Sequence, residues 1–178
     1  TLTAGGEPTD DGDDANTNST IDFGVMCDPD MMMNLGNLVW KDLNKNGIKD
    51  TDEQGFAGIA LELYIDVNAN GVFDAADVKA GETTTDANGN YGFGGLMPSD
   101  YILVMPSSNF RFFFGVASGW QVTPVNEPDP NTNIDNDNNG LTGIIEPVVT
   151  RAITLAFGQE PTTDGDGIKV RKDMAFVS

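Results

Sequence analysis

Three stretches of this chain place oxygen-bearing side chains at the same intervals: residues 42–53 (DLNKNGIKDTDE), 66–77 (DVNANGVFDAAD) and 135–146 (DNDNNGLTGIIE). Each has a carboxylate or amide at positions 1, 3 and 5, glycine at position 6 and an acid at position 12. A calcium loop needs this spacing. Alternate side chains converge on one point, the glycine permits the sharp turn, and the last acid closes the shell. In the first loop Asp42, Asn44, Asn46, Asp50 and Glu53 are the expected side-chain ligands, with Ile48 offering its carbonyl. The second uses Asp66, Asn68, Asn70 and Asp74 with the Val72 carbonyl, and Asp77 replaces the longer glutamate, so that only one of its oxygens is expected to reach. The third offers Asp135, Asp137, Asn139, the Leu141 carbonyl and Glu146. There Gly143 leaves position 9 to water, and Ile144-Ile145 resembles the start of a strand that would carry Glu146 away. A solvated Asn/Gly turn explains any one of these; three in 178 residues are hard to assign to chance.

Composition narrows the classes. Asp and Glu number 28 against 9 Lys and Arg, with no histidine and one cysteine, for a formal charge of −19. So acidic a surface repels nucleic acid and anionic membrane, and neither is an expected partner. A solvated acidic surface would explain the charge, but not why the acids sit at fixed intervals beside Asn and Gly. No apolar run approaches the roughly 18 residues of a membrane span, and no basic, apolar leader opens the chain. The single Cys27 excludes an internal disulfide framework. Without an imidazole base there is no Ser-His-Asp arrangement, and the well-placed acids are all explained by the loops. No enzyme activity is expected.

The elements that must position the loops are short strands. Residues 59–65 (IALELYI) alternate, with Ile59, Leu61, Leu63 and Ile65 on one face. Residues 37–40, 83–85, 91–93, 101–105, 110–116, 144–149, 152–157, 169–172 and 174–177 complete the pattern, and residues 86–90 (DANGN) read as a hairpin turn. No segment keeps a helical period with caps. The expectation is all-β, a β-sandwich with calcium loops between strands. The helix pair of an EF-hand is absent from this pattern, so a groove-opening sensor is not expected. Trp40 and Trp120 read as core anchors, and Phe112-Phe113-Phe114 cannot all share one face of a strand. The acids at 10, 11, 13, 14, 164 and 166 read as solvated turns.

The two ends repeat each other. Residues 1–13 (TLTAGGEPTDDGD) align without gaps to residues 154–166 (TLAFGQEPTTDGD), with nine of thirteen positions identical, and after a short gap residues 22–25 resemble 173–177. Residues 1–33 are therefore expected to be the closing strands of a preceding repeat plus a Met-rich junction, and residues 34–178 one complete module. The alternative is that residues 1–26 act as a donor strand that completes a neighbouring subunit and builds a fibre.

With NLVWKDLNKNGIKDTDE at 37–53, GFAGI at 55–59 and TTDANGNYGF at 84–93, the chain closely resembles the B-repeat domains of bacterial serine-aspartate repeat surface proteins, within the wider Cna-B-like group. The resemblance spans about residues 34–178. It implies an Ig-like β-sandwich, stabilised by Ca²⁺ and strung in tandem with neighbouring repeats as the stalk of an extracellular cell-surface adhesin, with the family's calcium ligands falling on the first loop. Relatives in the wider group carry a Lys–Asn isopeptide bond; here Trp40 stands in the lysine's place and Ala60 in the acid's, so no such bond is expected. The rival readings are a glycan- or protein-binding module, for which a dockerin would lack its helices here, and an accessory domain of a secreted enzyme.

Overall fold

The computed structural model describes residues 24–26, 32–110, 115–123, 129–131, 138–141 and 147–156, together with the backbone of 174–177. Nine strands appear among them: β1 (Met33–Lys41), β2 (Ala60–Ile65), β3 (Val78–Thr84), β4 (Asn90–Leu96), β5 (Ser99–Met105), β6 (Gln121–Val122), β7 (Val148–Val149), β8 (Ile153–Leu155) and β9 (Met174–Val177). They form two sheets, one in the order β4-β1-β9-β6 and the other β3-β2-β5-β7, with β8 also pairing β5. Every pairing is antiparallel except β1 with β9, which run parallel with Val39, Trp40 and Lys41 opposite Met174, Ala175 and Phe176.

Alternation builds the interior. Leu61 and Leu63 of β2 and Tyr101, Leu103 and Met105 of β5 point inward from one sheet, and meet Met33, Leu35 and Val39 of β1 with Tyr91 and Phe93 of β4 from the other. Burying one such side chain stabilises the fold by roughly 1.5–3 kcal/mol. The molecule is an all-β sandwich. The period-two reading of residues 59–65 holds: Ile59, Leu61 and Leu63 are fully buried, while Ala60, Glu62 and Tyr64 are partly exposed on the outer face.

Several boundaries differ from expectation. Strand β1 starts at Met33, whose side chain lies in the core and not in a junction between modules. Residues 86–90 do not make a hairpin. Thr83 pairs with Leu61 in one sheet and Tyr91 with Asn37 in the other, so the turn carries the chain across the sandwich. The turn chemistry is as read, with Gly89 at φ 87° and its N–H donating to the Asp86 carbonyl at 3.0 Å, but such a turn suits a crossing as well as a hairpin. Phe110 does not open a strand. It ends a 3₁₀ turn, Ser107–Phe110, and residues 116–119 form a further turn. The cause is Asn109, whose backbone N–H donates to the Pro106 carbonyl at 3.1 Å and whose carbonyl accepts from Ala117 at 2.8 Å. Of the strands expected at 144–149 and 152–157, β7 and β8 are the described parts; residues 111–114, 144–146 and 169–172 and Cys27 lie outside the described residues.

Candidate metal centres

The first loop follows β1 without a spacer and the second follows β2 in the same way, so in both a strand end fixes position 1. Asp42 is fully buried and Asp66 nearly so. Nothing apolar could replace them, because each collects backbone donors. Asp42 accepts from Lys45 N–H at 2.7 Å and Asn46 N–H at 3.3 Å on one oxygen, and from Gly47 N–H at 2.8 Å on the other. Asp66 accepts from Asn70 N–H at 3.2 Å and Gly71 N–H at 2.7 Å.

The two loops share one conformation in detail. Position 4 is left-handed in both, at Lys45 (φ 67°) and Ala69 (φ 52°), and so is position 6, at Gly47 (φ 71°) and Gly71 (φ 72°). A left-handed non-glycine residue is uncommon; Lys45 N–H donates to the Asp42 carboxylate at 2.7 Å and Ala69 N–H to the Asp66 backbone carbonyl at 3.4 Å. At position 3, Asn44 Oδ1 accepts from Asn46 N–H and Asn68 Oδ1 from Asn70 N–H. At position 5, Asn46 Oδ1 accepts from Ile48 N–H and Asn70 Oδ1 from Val72 N–H. The amide N–H groups of these asparagines converge on the acid at position 9. Asn44 and Asn46 donate to Asp50 Oδ2 at 2.7 and 3.0 Å, and Asn68 and Asn70 to Asp74 Oδ2 at 3.1 and 2.8 Å. Positive amide ends thus sit where a cation would face that carboxylate.

The loops part company at position 12. Glu53 spans its loop, accepting from Leu43 N–H at 2.7 Å with one oxygen and Asp50 N–H at 3.1 Å with the other. Asp77 is a methylene shorter. Its Oδ2 accepts from Asp74 N–H at 2.8 Å, while its Oδ1 is buried with no hydrogen-bond partner. A buried carboxylate oxygen left bare is costly, and a cation is one way to satisfy it. Asp74 is held below the usual carboxylate range, first by the Ala76 backbone N–H and then by the Asn70 and Asn68 amides. Among the described residues no three carboxylates surround a single point.

Other residues hold the loops to the sandwich. The end of the first loop lies along β1: Lys41 N–H donates to the Gln54 carbonyl at 2.9 Å and Phe56 N–H to the Val39 carbonyl at 2.6 Å. Thr85 Oγ accepts from Ile59 N–H at 2.9 Å and donates to the Phe56 carbonyl at 2.6 Å. Lys41 lies over the rings of Phe56 and Trp120, which pack edge to face at 5.0 Å, so Trp120 is a packing residue. Phe73 of the second loop packs edge to face on Tyr64 of β2 at 4.8 Å. Beside it Lys79 bridges Glu62 at 2.8 Å and Glu82 at 2.7 Å. The Lys79 hydrogen bond lowers the pKa of Glu62, and burial, then the bond it donates to Glu62, raises that of Tyr64.

The third stretch behaves differently. Asp135, Asp137 and Glu146 lie outside the described residues. Gly140, at position 6, does not take the positive φ of Gly47 and Gly71. Asn138 and Asn139 are buried, and Leu141 N–H donates to the Val149 carbonyl at 2.8 Å. This stretch touches the first loop, with Asn138 N–H donating to the Gly47 carbonyl at 3.0 Å. Spacing alone did not indicate that contact.

A family model, the SdrD B-like domain, matches residues 33–168. The chain belongs to the SdrD B-like domain family. It is 35% identical over 146 residues to serine-aspartate repeat-containing protein F of Staphylococcus epidermidis, a match covering 81% of this chain and 8% of that protein. It is 32% identical over 173 residues to serine-aspartate repeat-containing protein D of Staphylococcus aureus, covering 90% of this chain and 11% of that protein. The SdrD B-like chain therefore spans about a tenth of the length of these relatives. Among solved structures a 9R-lipoxygenase from Cyanothece aligns over 90% of this chain and 18% of its own, at 11% identity and a TM-score of 0.30, too low to bear on fold or chemistry.

Proposed function

We propose that this SdrD B-like module is a non-enzymatic spacer of an extracellular bacterial surface adhesin, stiffened by Ca²⁺ in the loops at 42–53 and 66–77. The metal reading is carried by the matched conformation of two loops separate in sequence, one of which leaves Asp77 Oδ1 buried and bare. The location and the adhesin context rest on the named relatives, of which the module is a small part.

The residues fit a hard cation that prefers oxygen ligands. Asp42, Asn44, Asn46, the Ile48 carbonyl, Asp50 and Glu53 would hold one ion, and Asp66, Asn68, Asn70, the Val72 carbonyl, Asp74 and Asp77 a second. The third stretch, including Asn139 and Leu141, is assigned to buttressing the first loop through Gly47. A bound divalent ion supplies positive charge that replaces the amide contacts on Asp50 and Asp74. The protein supplies pre-formed turns at two strand ends, so that holding the ion also fixes how β1 leads to β2 and β2 to β3. Extracellular loops of this kind bind at about 10⁻⁴–10⁻³ M, which suits an ion held continuously and not a signal. At a hundred times the dissociation constant each ion adds about 2.7 kcal/mol.

Calorimetric titration with Ca²⁺ on chelator-treated protein should show two sites, and melting should occur at a higher temperature in Ca²⁺ than in chelator. Identical melting curves in both would refute the metal reading and leave the spacer reading standing.

A further inference from the structure

Asparagine followed by glycine occurs four times, at Asn46-Gly47, Asn70-Gly71, Asn88-Gly89 and Asn139-Gly140. The dipeptide is chemically reactive. With no side chain in the way, the glycine nitrogen can close on the amide carbon of the asparagine and form a five-membered succinimide ring. As dipeptides the four pairs are alike, but their surroundings in the fold are not.

Three of them are held. Gly47, Gly89 and Gly140 are buried. Asn139 is buried as well, and a Cβ on Gly140 would lie 3.1 Å from the Val148 side chain. The Asn88 carbonyl lies where a Cβ on Gly55 would fall, and a Cβ on Gly89 would lie 2.7 Å from the Phe56 nitrogen, so that peptide has no room to turn. The Gly47 carbonyl is tied to Asn138 N–H at 3.0 Å.

The fourth pair is open. Asn70 is exposed, Gly71 is partly exposed, and a Cβ built on Gly71 would meet nothing within 4 Å. The side chain is also folded toward the reacting shape. Asn70 Oδ1 accepts from Val72 N–H at 2.8 Å, which curls the amide around the Gly71 nitrogen between them. The same N–H steadies the negative charge that develops on Oδ1 when that nitrogen attacks. Gly71 N–H itself donates to Asp66 Oδ2 at 2.7 Å, within reach of a proton acceptor.

We propose that Asn70 is a site of self-modification, at which the folded loop turns an amide into a carboxyl group ahead of the other three pairs. The Gly71 nitrogen gives up its proton, by way of Asp66, to solvent and bonds to Cγ of Asn70. The Cγ–Nδ2 bond breaks, and Nδ2 takes a proton from water and leaves as ammonia. Water then opens the ring. Attack at Cγ leaves aspartate at position 5 of the loop, and attack at the backbone carbonyl leaves isoaspartate, with the chain rerouted through the side chain. The first product adds a carboxylate to Asp66, Asp74 and Asp77, and ligand charge is what tunes such a loop. The second adds a methylene to the backbone and breaks the ligand spacing.

The test ages the full chain in calcium-free buffer, at a temperature where circular dichroism shows the sheets intact. Tandem mass spectrometry of its peptides then follows the exchange of amide for acid at each pair. Asn70 should convert first, with Asn88 and Asn139 lagging far behind, and the lead should vanish in urea, where the four pairs become alike. Gly71→Ala should stop conversion at Asn70 and leave Asn88 as it was. Another pair converting first in the folded chain overturns the proposal, as does the same order in urea, or conversion at Asn70 that survives Gly71→Ala. A parallel sample in Ca²⁺ scores the metal reading by itself. An ion held by Asn70 and Asp66 should slow the reaction, and equal rates with and without Ca²⁺ would count against metal in this loop while leaving the modification standing.

Discussion

Gly55 and Gly89 meet backbone to backbone: a Cβ added to Gly89 would lie 2.7 Å from the Cα of Gly55. A Cβ on Gly55 would in turn run into the carbonyl of Asn88. Both lie against β1, where Val39 N–H donates to the Gly89 carbonyl at 2.9 Å and the Val39 carbonyl accepts from Phe56. The exit of the first loop is thereby pressed onto the turn that crosses between the sheets.

Gly55→Ala should therefore destabilise far more than Gly71→Ala. At Gly71 the space is open and only the left-handed φ resists a side chain, a penalty of about 1–2 kcal/mol. At Gly55 backbone must move, and a loss of roughly 3 kcal/mol or more is expected on the scale of large single-site effects. Urea denaturation of both variants in the same buffer measures the difference, and equal midpoints would contradict the contact.

Asp42→Ala removes the acceptor of three backbone N–H groups in a buried place. Leaving such donors unpaired costs about 1–3 kcal/mol even without metal, and more where the acceptor was charged. The variant should melt lower than wild type in chelator, and lower still relative to wild type in Ca²⁺. A loss seen only in Ca²⁺ would mean that the carboxylate does nothing for the metal-free turn.

Asp77→Glu tests position 12 directly. The longer side chain can offer both oxygens, as Glu53 does to the backbone of the first loop. Calcium affinity of the second loop should rise on the order of tenfold, about 1.4 kcal/mol, with the first site unchanged in the same titration.

Asn109→Ala should cost about 2–3 kcal/mol. The amide accepts from Ala60 N–H at 3.0 Å and donates to the Ala60 carbonyl at 2.9 Å, replacing a missing strand partner where β2 begins. Asn109→Asp keeps the acceptor but sets an acid against that carbonyl, and should not rescue. Chemical denaturation of the two variants decides this.

Asp86 gives a pH signature free of the metal loops. Its carboxyl lies below the usual range, chiefly because the Asn90 N–H and then the Asn88 N–H donate to it, at 2.9 and 2.8 Å. A depressed folded-state value means a contribution present above the ordinary aspartate pKa, about 3.9, and lost as pH falls through the folded one. The melting-temperature gap between wild type and Asp86→Asn should be widest near neutrality and close in acid. A gap that grows as pH falls would contradict the assignment.

Local chemistry was readable from residue types. The alternation at 59–65 and the apolar run at 101–105 marked β2 and the core of β5, and the Asp-x-Asn-x-Asn-Gly order marked two turns whose hydrogen bonds match at positions 3, 5 and 9. What joins distant segments was not readable. Asn109 immediately precedes the aromatic stretch 110–116 that reads as a strand, and its role depends on Ala60, 49 residues away. An Asn-Gly turn cannot say whether the next strand pairs beside the last or in the facing sheet, because its own bonds are satisfied either way. The parallel partnership of β1 and β9 spans nearly the whole module, and no pattern in either strand names the other.

That partnership sets how the module answers a pull. Strands β1 and β9 are parallel neighbours in the middle of their sheet, so the chain enters β1 at one end of the pair and leaves β9 at the other. Tension arriving through the flanking polypeptide would slide the two strands lengthwise, loading the ladder at Val39, Trp40 and Lys41 in shear. Those rungs must then yield together and not unzip one at a time, and Trp40, sealed from water at the middle of the three, keeps solvent from breaking them singly.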